Sequence, residues 1–206
     1  MKSVKLPTRQ QCYEIIEQYY VPSNIVKHCE AVAQFGCSIG AELCENGVDV
    51  NLPLVERAGL LHDVLRICDC KTIDVGKLGG EVSDEQMRRW SELKQEFDGL
   101  CHEYAAYKLF KDSYPELAMV IKTHKYRDIA DEKKRPVSWE QKIVYYADKR
   151  VMHDKVVSLR ERLEDGHSRN TFGYHSNPEA REEVQKIDNF IFELEEEIFR
   201  SCDRRF

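Results

Sequence analysis

Apolar residues recur at intervals of three and four along almost the whole chain, and the alternation expected of strands is scarce. A chain patterned this way buries its apolar surface by packing helix on helix, so the expected class is all-α. A first helix is expected from Thr8 to Tyr20, stopped by Pro22. A second runs from Ser23, as N-cap, to the stop signal Asn46-Gly47. Pro53 opens a third, which carries LVERAGLLHDVL. Capping-box spacing at Ser83-Asp84-Glu85-Gln86 and at Ser113-Tyr114-Pro115-Glu116 marks two further starts, with a helix over Cys101–Lys111 between them. Ser138 precedes a helix expected to continue through Leu163. The stretches 68–80, 125–136 and 165–177 lack the period and are expected loops. Asn177-Pro178 begins a last, amphipathic helix to Cys202, with Val184, Ile187, Phe190, Ile191, Leu194 and Ile198 on one face. That face covers either the core or a second copy of the chain, which leaves a homodimer open.

The 206 residues suit one domain, with a core over about 20–160 and residues 165–206 appended. The 42% hydrophobic and 33% charged residues describe a folded rather than a disordered chain. A net charge of -6 gives no bulk affinity for a nucleic-acid backbone, so no nucleic-acid partner is expected. The opening MKSVKLPTRQ lacks a signal-peptide core, and no run reaches membrane-spanning length. A cytoplasmic protein without a membrane partner is therefore expected, its eight cysteines as reduced thiols. Only Cys68 and Cys70 lie close in sequence, which is poor spacing for a thiolate metal site.

Function is suggested by where the titratable residues fall. His28 shares its helix face with Ile25, Ala31, Val32 and Phe35; His62 with Val55, Ala58 and Leu65. His102 has Ala105, Ala106 and Leu109 ahead of it, and His124 has Leu117, Val120 and Ile121 behind. Asp148 lies among Val144, Tyr145, Val151 and Met152. One histidine on an apolar face is an ordinary core residue. Five such residues on separate inward stripes, with Asp63 beside His62, would be costly to bury unpaired. A shared cation removes that cost, and imidazole with carboxylate suits a divalent transition metal such as Fe, Mn, Co, Ni or Zn. His62 and Asp63, about 100° apart on a helix, can reach one ion if the helix end presents its flank, or two if Asp63 lies between them.

The order His28, His62-Asp63, His102, His124, Asp148 resembles the HD superfamily of metal-dependent phosphohydrolases. The resemblance rests on NIVKHCEAVA, AGLLHDVLR, LCHEYAAYKLF, VIKTHKY and KIVYYADKR, within about residues 20–160. It implies an HD-domain helical bundle in which His28, His62, Asp63 and Asp148 hold one ion. His102 and His124 look like the second-metal ligands of the family's dinuclear branch, so one or two ions are expected. That branch includes diadenosine tetraphosphate hydrolases and cyclic-dinucleotide phosphodiesterases. The chain departs from it in two ways. Arg66 stands where several dinuclear members have lysine, and the GYP motif is absent.

The expected reaction is hydrolysis of a phosphoester or phosphoanhydride in a small phosphorylated substrate, such as a nucleotide or dinucleoside polyphosphate, by metal-activated water. Asp63 is the candidate to orient that water. Arg66, Lys149 and Arg150 are the candidate phosphate-binding cations. Two alternatives share the ligand set: an HD-fold di-iron oxygenase and a noncatalytic nucleotide-binding regulatory module.

Overall fold

The computed structural model describes residues 4–70, 81–169, 178–202 and 206. It is all-α apart from one short hairpin. The helices are α1 (Arg9–Gln18), α2 (Ser23–Glu45), α3 (Leu52–Leu61), α4 (Asp84–Glu96), α5 (His102–Phe110), α6 (Pro115–Lys122), α7 (Trp139–Asp148), α8 (Leu159–Arg169) and α9 (Pro178–Cys202). Turns of 3-10 helix cover Arg66–Asp69 and Tyr126–Ala130.

Local chemistry sets most of the boundaries. Thr8 with Gln11, Ser83 with Gln86 and Ser138 with Gln141 form capping boxes that start α1, α4 and α7. Asn51 caps α3 by accepting from the Leu54 N–H. Gly47, at φ +82°, closes α2 in a conformation that suits glycine. Two expected caps do not form. Pro22 rather than Ser23 occupies the N-cap position of α2, and α6 starts after Tyr114 with no side-chain cap, Pro115 supplying the preset φ instead.

The largest correction concerns Ser138–Leu163, which is not one helix. The helix stops at Asp148, and Val151–Met152 pairs antiparallel with Lys155–Val156. Met152 faces Lys155, leaving a two-residue turn in which His153 has φ +58°. Ser158 and Glu161 then form a reciprocal cap that starts α8. The helix runs on through residues 165–169, which had been expected to be loop; residues 170–177 of that loop, and 71–80 of the earlier one, lie outside the described residues. The polar stretch 125–136 contains a 3-10 turn with Asp128 and Ile129 buried.

Helix α2 packs along α3 and α7, and α3 also meets α6. At the α2–α3 crossing a Cβ on Gly59 would fall 2.6 Å from the Ala33 Cα. Only glycine permits that approach, which sets the spacing between the helices carrying His28 and His62. Ile187, Ile191, Leu194 and Ile198 of α9 are buried in the same core as Leu60, Leu61, Ile143 and Tyr145, and Phe190 packs half-buried against it, so the amphipathic face covers this chain's own core. No helix among the described residues is long and apolar enough to cross a membrane.

Candidate metal centre

Three helices end at one point. His62 is the C-cap residue of α3, with Asp63 just beyond it; His124 follows the end of α6; Asp148 is the last residue of α7. The helix end thus presents its flank, so that adjacent His62 and Asp63 both face the cluster. Helix C-termini carry partial negative charge, and three of them around one point favour a cation. His28 enters from α2 and His102 from the first turn of α5.

Each imidazole is oriented through Nδ1. His28 Nδ1 lies 3.0 Å from the His153 carbonyl oxygen, His62 Nδ1 2.8 Å from that of Gly59, and His124 Nδ1 2.5 Å from that of Ile121. His102 Nδ1 lies 2.5 Å from Asp69 Oδ2, and Asp69 Oδ1 also accepts the His102 backbone N–H at 2.9 Å. A carbonyl or carboxylate only accepts, so each Nδ1 carries a proton and each Nε2 is the nitrogen turned toward the cluster. The four Nε2 atoms turn toward Asp63 and Asp148. His28 Nε2 is 3.1 Å from Asp148 Oδ1, and His62 Nε2 is 3.7 Å from the same atom. His102 Nε2 is 2.8 Å from Asp63 Oδ1, with His124 Nε2 at 3.7 Å.

Two features mark where a cation would sit. His102 Nε2 and His124 Nε2 are 3.0 Å apart. His62 Nε2 is fully buried with no hydrogen-bond partner. A divalent cation would take the Nε2 lone pairs in place of protons, and the nitrogen and oxygen donor set suits a transition metal. Asp63 belongs to two of the three groups that could hold an ion, one with His28 and His62 and one with His102 and His124; the third is Asp69, His102 and Glu103.

Burial alone would raise the Asp63 carboxyl, but His62 and His102 hold it well below the usual carboxylate range. Burial likewise acts to raise Asp148, and Lys149 with His28 and His62 holds it low. Burial and the neighbouring imidazoles push His124 down. The site thus combines ionised carboxylates with at least one imidazole kept neutral.

No protein-family model matches the chain, and no solved structure matches it. An uncharacterized protein of Methanocaldococcus jannaschii is 25% identical over 136 residues, covering 66% of this chain and 71% of that protein.

All six expected ligand residues come together, and His28, Asp63, His102, His124 and Asp148 border one cavity of about 380 Å³. Of the three expected phosphate-binding cations, two reach it. The Arg66 guanidinium is half-exposed and bridges toward Asp69 at 3.4 Å. It also lies 3.0 Å from His102 Nδ1, but with that nitrogen donating to Asp69 it rests against the ring without bonding to it. Lys149 Nζ donates to Asp148 Oδ2 at 2.5 Å and to the His124 carbonyl oxygen at 3.1 Å. Arg150 does not reach the cavity. It is buried on the other side, donating to Tyr146 Oη and to the carbonyl oxygens of Val157 and Phe206, beside Glu195. Adjacent residues at a helix end diverge, so proximity to Asp148 in sequence was a poor guide.

Asp69, Glu103 and Arg162 are further charged residues at the site that sequence reasoning passed over. Asp69 fell inside an expected loop with no period to reveal its direction. Glu103 follows His102 in the first turn of α5, and its Oε2 lies 3.3 Å from His102 Nδ1.

Proposed function

We propose that this chain is a metal-dependent phosphohydrolase of the HD superfamily, acting on a small phosphorylated substrate such as a nucleotide or dinucleoside polyphosphate. The observation carrying this reading is the convergence of four inward Nε2 atoms on Asp63 and Asp148, at the floor of a cavity flanked by Arg66, Lys149 and Arg162. The cavity has the size of a small-molecule site, and its cations favour an anionic substrate.

His28, His62, Asp63 and Asp148 would hold one divalent ion, and His102 and His124 with the shared Asp63 a second. Such ions supply Lewis acidity toward phosphoryl oxygens and lower the pKa of water. The protein's own groups do the positioning. Asp63, kept ionised by the imidazoles around it, accepts a hydrogen bond from the attacking water and so orients it. Lys149 locks Asp148 against the end of α6 and adds positive charge beside the reacting phosphorus. Arg66, tethered by Asp69 and exposed enough to meet substrate, binds nonbridging oxygens.

The test is a metal-supplemented screen of nucleotides, dinucleoside polyphosphates and phosphomonoesters under anaerobic conditions, with Asp63→Asn as the control. Hydrolysis by the wild type and near-complete loss in Asp63→Asn is the expected result. Oxygen-dependent turnover with bound iron and no hydrolysis would instead support a di-iron oxygenase. Tight nucleotide binding without turnover would support a regulatory module.

A further inference from the structure

Many surface cations of this chain are paired with acids. Arg88 lies 2.6 Å from Glu92, Arg127 3.0 Å from Glu183, Lys142 2.6 Å from Glu197 and Lys186 3.1 Å from Glu182. The lysines around α5 differ. Tyr104, Tyr107, Lys108 and Lys111 are spaced by three, four and seven, so they share one face of that helix and its C-cap. The face is turned outward, with both lysines exposed and both tyrosines half-buried. Lys122, the last residue of α6, reaches across it, its Nζ 5.2 Å from the Tyr104 ring centroid and 4.8 Å from that of Tyr107. Lys125 Nζ lies 5.3 Å from the Tyr104 centroid and donates to Cys101 Sγ at 3.4 Å. Lys108 Nζ stands 5.8 Å over Phe97.

Among the described residues, no carboxylate comes within ion-pair distance of Lys108, Lys111, Lys122 or Lys125. The two acids beside them are turned inward. Buried Asp128 accepts from Tyr104 Oη at 3.1 Å, and buried Glu103 faces His102 Nδ1 at 3.3 Å. Exposed Asp112 and Glu116 come only after Lys111. A ring attracts an ammonium charge without taking its N–H groups as an oxygen does. Donors to spare therefore line a ridge about 10 Å long from Tyr104 to Lys111.

Unpaired positive charge repeated along a ridge suits a polyanion, and ammonium groups meet phosphate oxygens as point charges from any side. Surfaces for single-stranded nucleic acid offer open aromatic faces to the bases. Here the ammonium groups lie over the rings instead, which favours a chain of phosphates without bases. We propose that this face binds a linear inorganic polyphosphate chain. Its near end adjoins the candidate metal centre, since Lys125 stands between His124 and Tyr126, and Tyr104 follows His102 and Glu103, all four of which border the cavity. Binding on the face needs no turnover, so it stands or falls apart from the phosphohydrolase reading.

The test is fluorescence anisotropy of end-labelled sodium polyphosphate with the full-length protein. The wild type should bind the long chain more tightly than tripolyphosphate, and Asp63→Asn should bind it as the wild type does. Replacing Lys108, Lys111 and Lys122 together by Gln should weaken binding on the order of 10-fold, at unchanged thermal midpoint. The slope of log affinity against log salt should fall by about two to three. Replacing exposed Lys27, Lys155 and Lys186 by Gln removes the same charge elsewhere and should change affinity by about two-fold at most. Equal losses in the two triple variants, or no binding by the wild type, overturn the proposal. Binding lost in Asp63→Asn would put the chain at the metal centre and also overturn it. Tighter binding of poly(U) RNA than of polyphosphate would make the face a nucleic-acid surface and overturn it as well.

Discussion

Gly59→Ala should weaken the fold and the metal centre together. Its new Cβ would lie 2.6 Å from the Ala33 Cα, 2.9 Å from the Ala33 Cβ and 2.9 Å from the Ala33 N. Two of these are backbone atoms of α2, so no rotamer change relieves the overlap and the helices must separate. Overpacking of this kind costs about 1–3 kcal/mol, with the upper end expected where backbone must move. Alanine returns about 1 kcal/mol of helix propensity. The net loss is then roughly 2 kcal/mol, which for a domain of this length lowers the thermal midpoint by roughly 4–8 °C. Because α2 carries His28 and α3 carries His62, whose Nδ1 bonds to the Gly59 carbonyl, metal affinity should fall as well. Calorimetry on metal-free protein reads the first effect and a metal titration the second. Gly36→Ala is the control, since its Cβ would meet the Val55 side chain at 3.2 Å, a contact that can give. A Gly59→Ala protein with an unchanged midpoint and unchanged metal affinity would refute the claim that this crossing positions the two histidines.

Arg66→Ala should lower kcat/KM by the worth of a charged hydrogen bond, about 1.5–3 kcal/mol, with metal content unchanged; a silent substitution leaves phosphate recognition to Lys149 and Arg162. Arg150→Ala should instead reduce stability, by about 1–3 kcal/mol in chemical denaturation, because it removes the donor to the Val157 carbonyl and the charge beside half-buried Glu195, which keeps the Tyr146 hydroxyl alone; loss of turnover at full stability would restore Arg150 to the site. Burial and the bond to Glu195 raise the Tyr146 hydroxyl above its ordinary value, so its contribution is complete below about pH 10 and is lost as pH rises toward the native value. Tyr146→Phe should flatten the alkaline decline in stability, and an identical decline in the variant would contradict that cause.

The helical period placed the candidate centre well because its residues lie on helices or within a residue or two of their ends, where three-and-four spacing still reports direction. Asp148 could be read against Val144 and Tyr145 for that reason. The period failed where local turn chemistry took over. The His153-Asp154 turn carries neither glycine nor proline, so nothing in composition broke the apparent helix from Ser138. Yet Ser158-Leu159-Arg160-Glu161 has capping-box spacing and could have marked the start of α8. Arg150 was misread because a helix end sends neighbouring side chains in different directions.

Metal content measured by mass spectrometry on the full-length protein, reconstituted with Mn, Co or Zn and freed of loose ions, tests the centre most directly. The expected result is roughly one to two ions per chain, reduced on replacing His102 and His124 together and abolished in Asp63→Ala, whose carboxylate joins the His28–His62 group to the His102–His124 group. Background metal in the wild type, or an unchanged stoichiometry in Asp63→Ala, would contradict it.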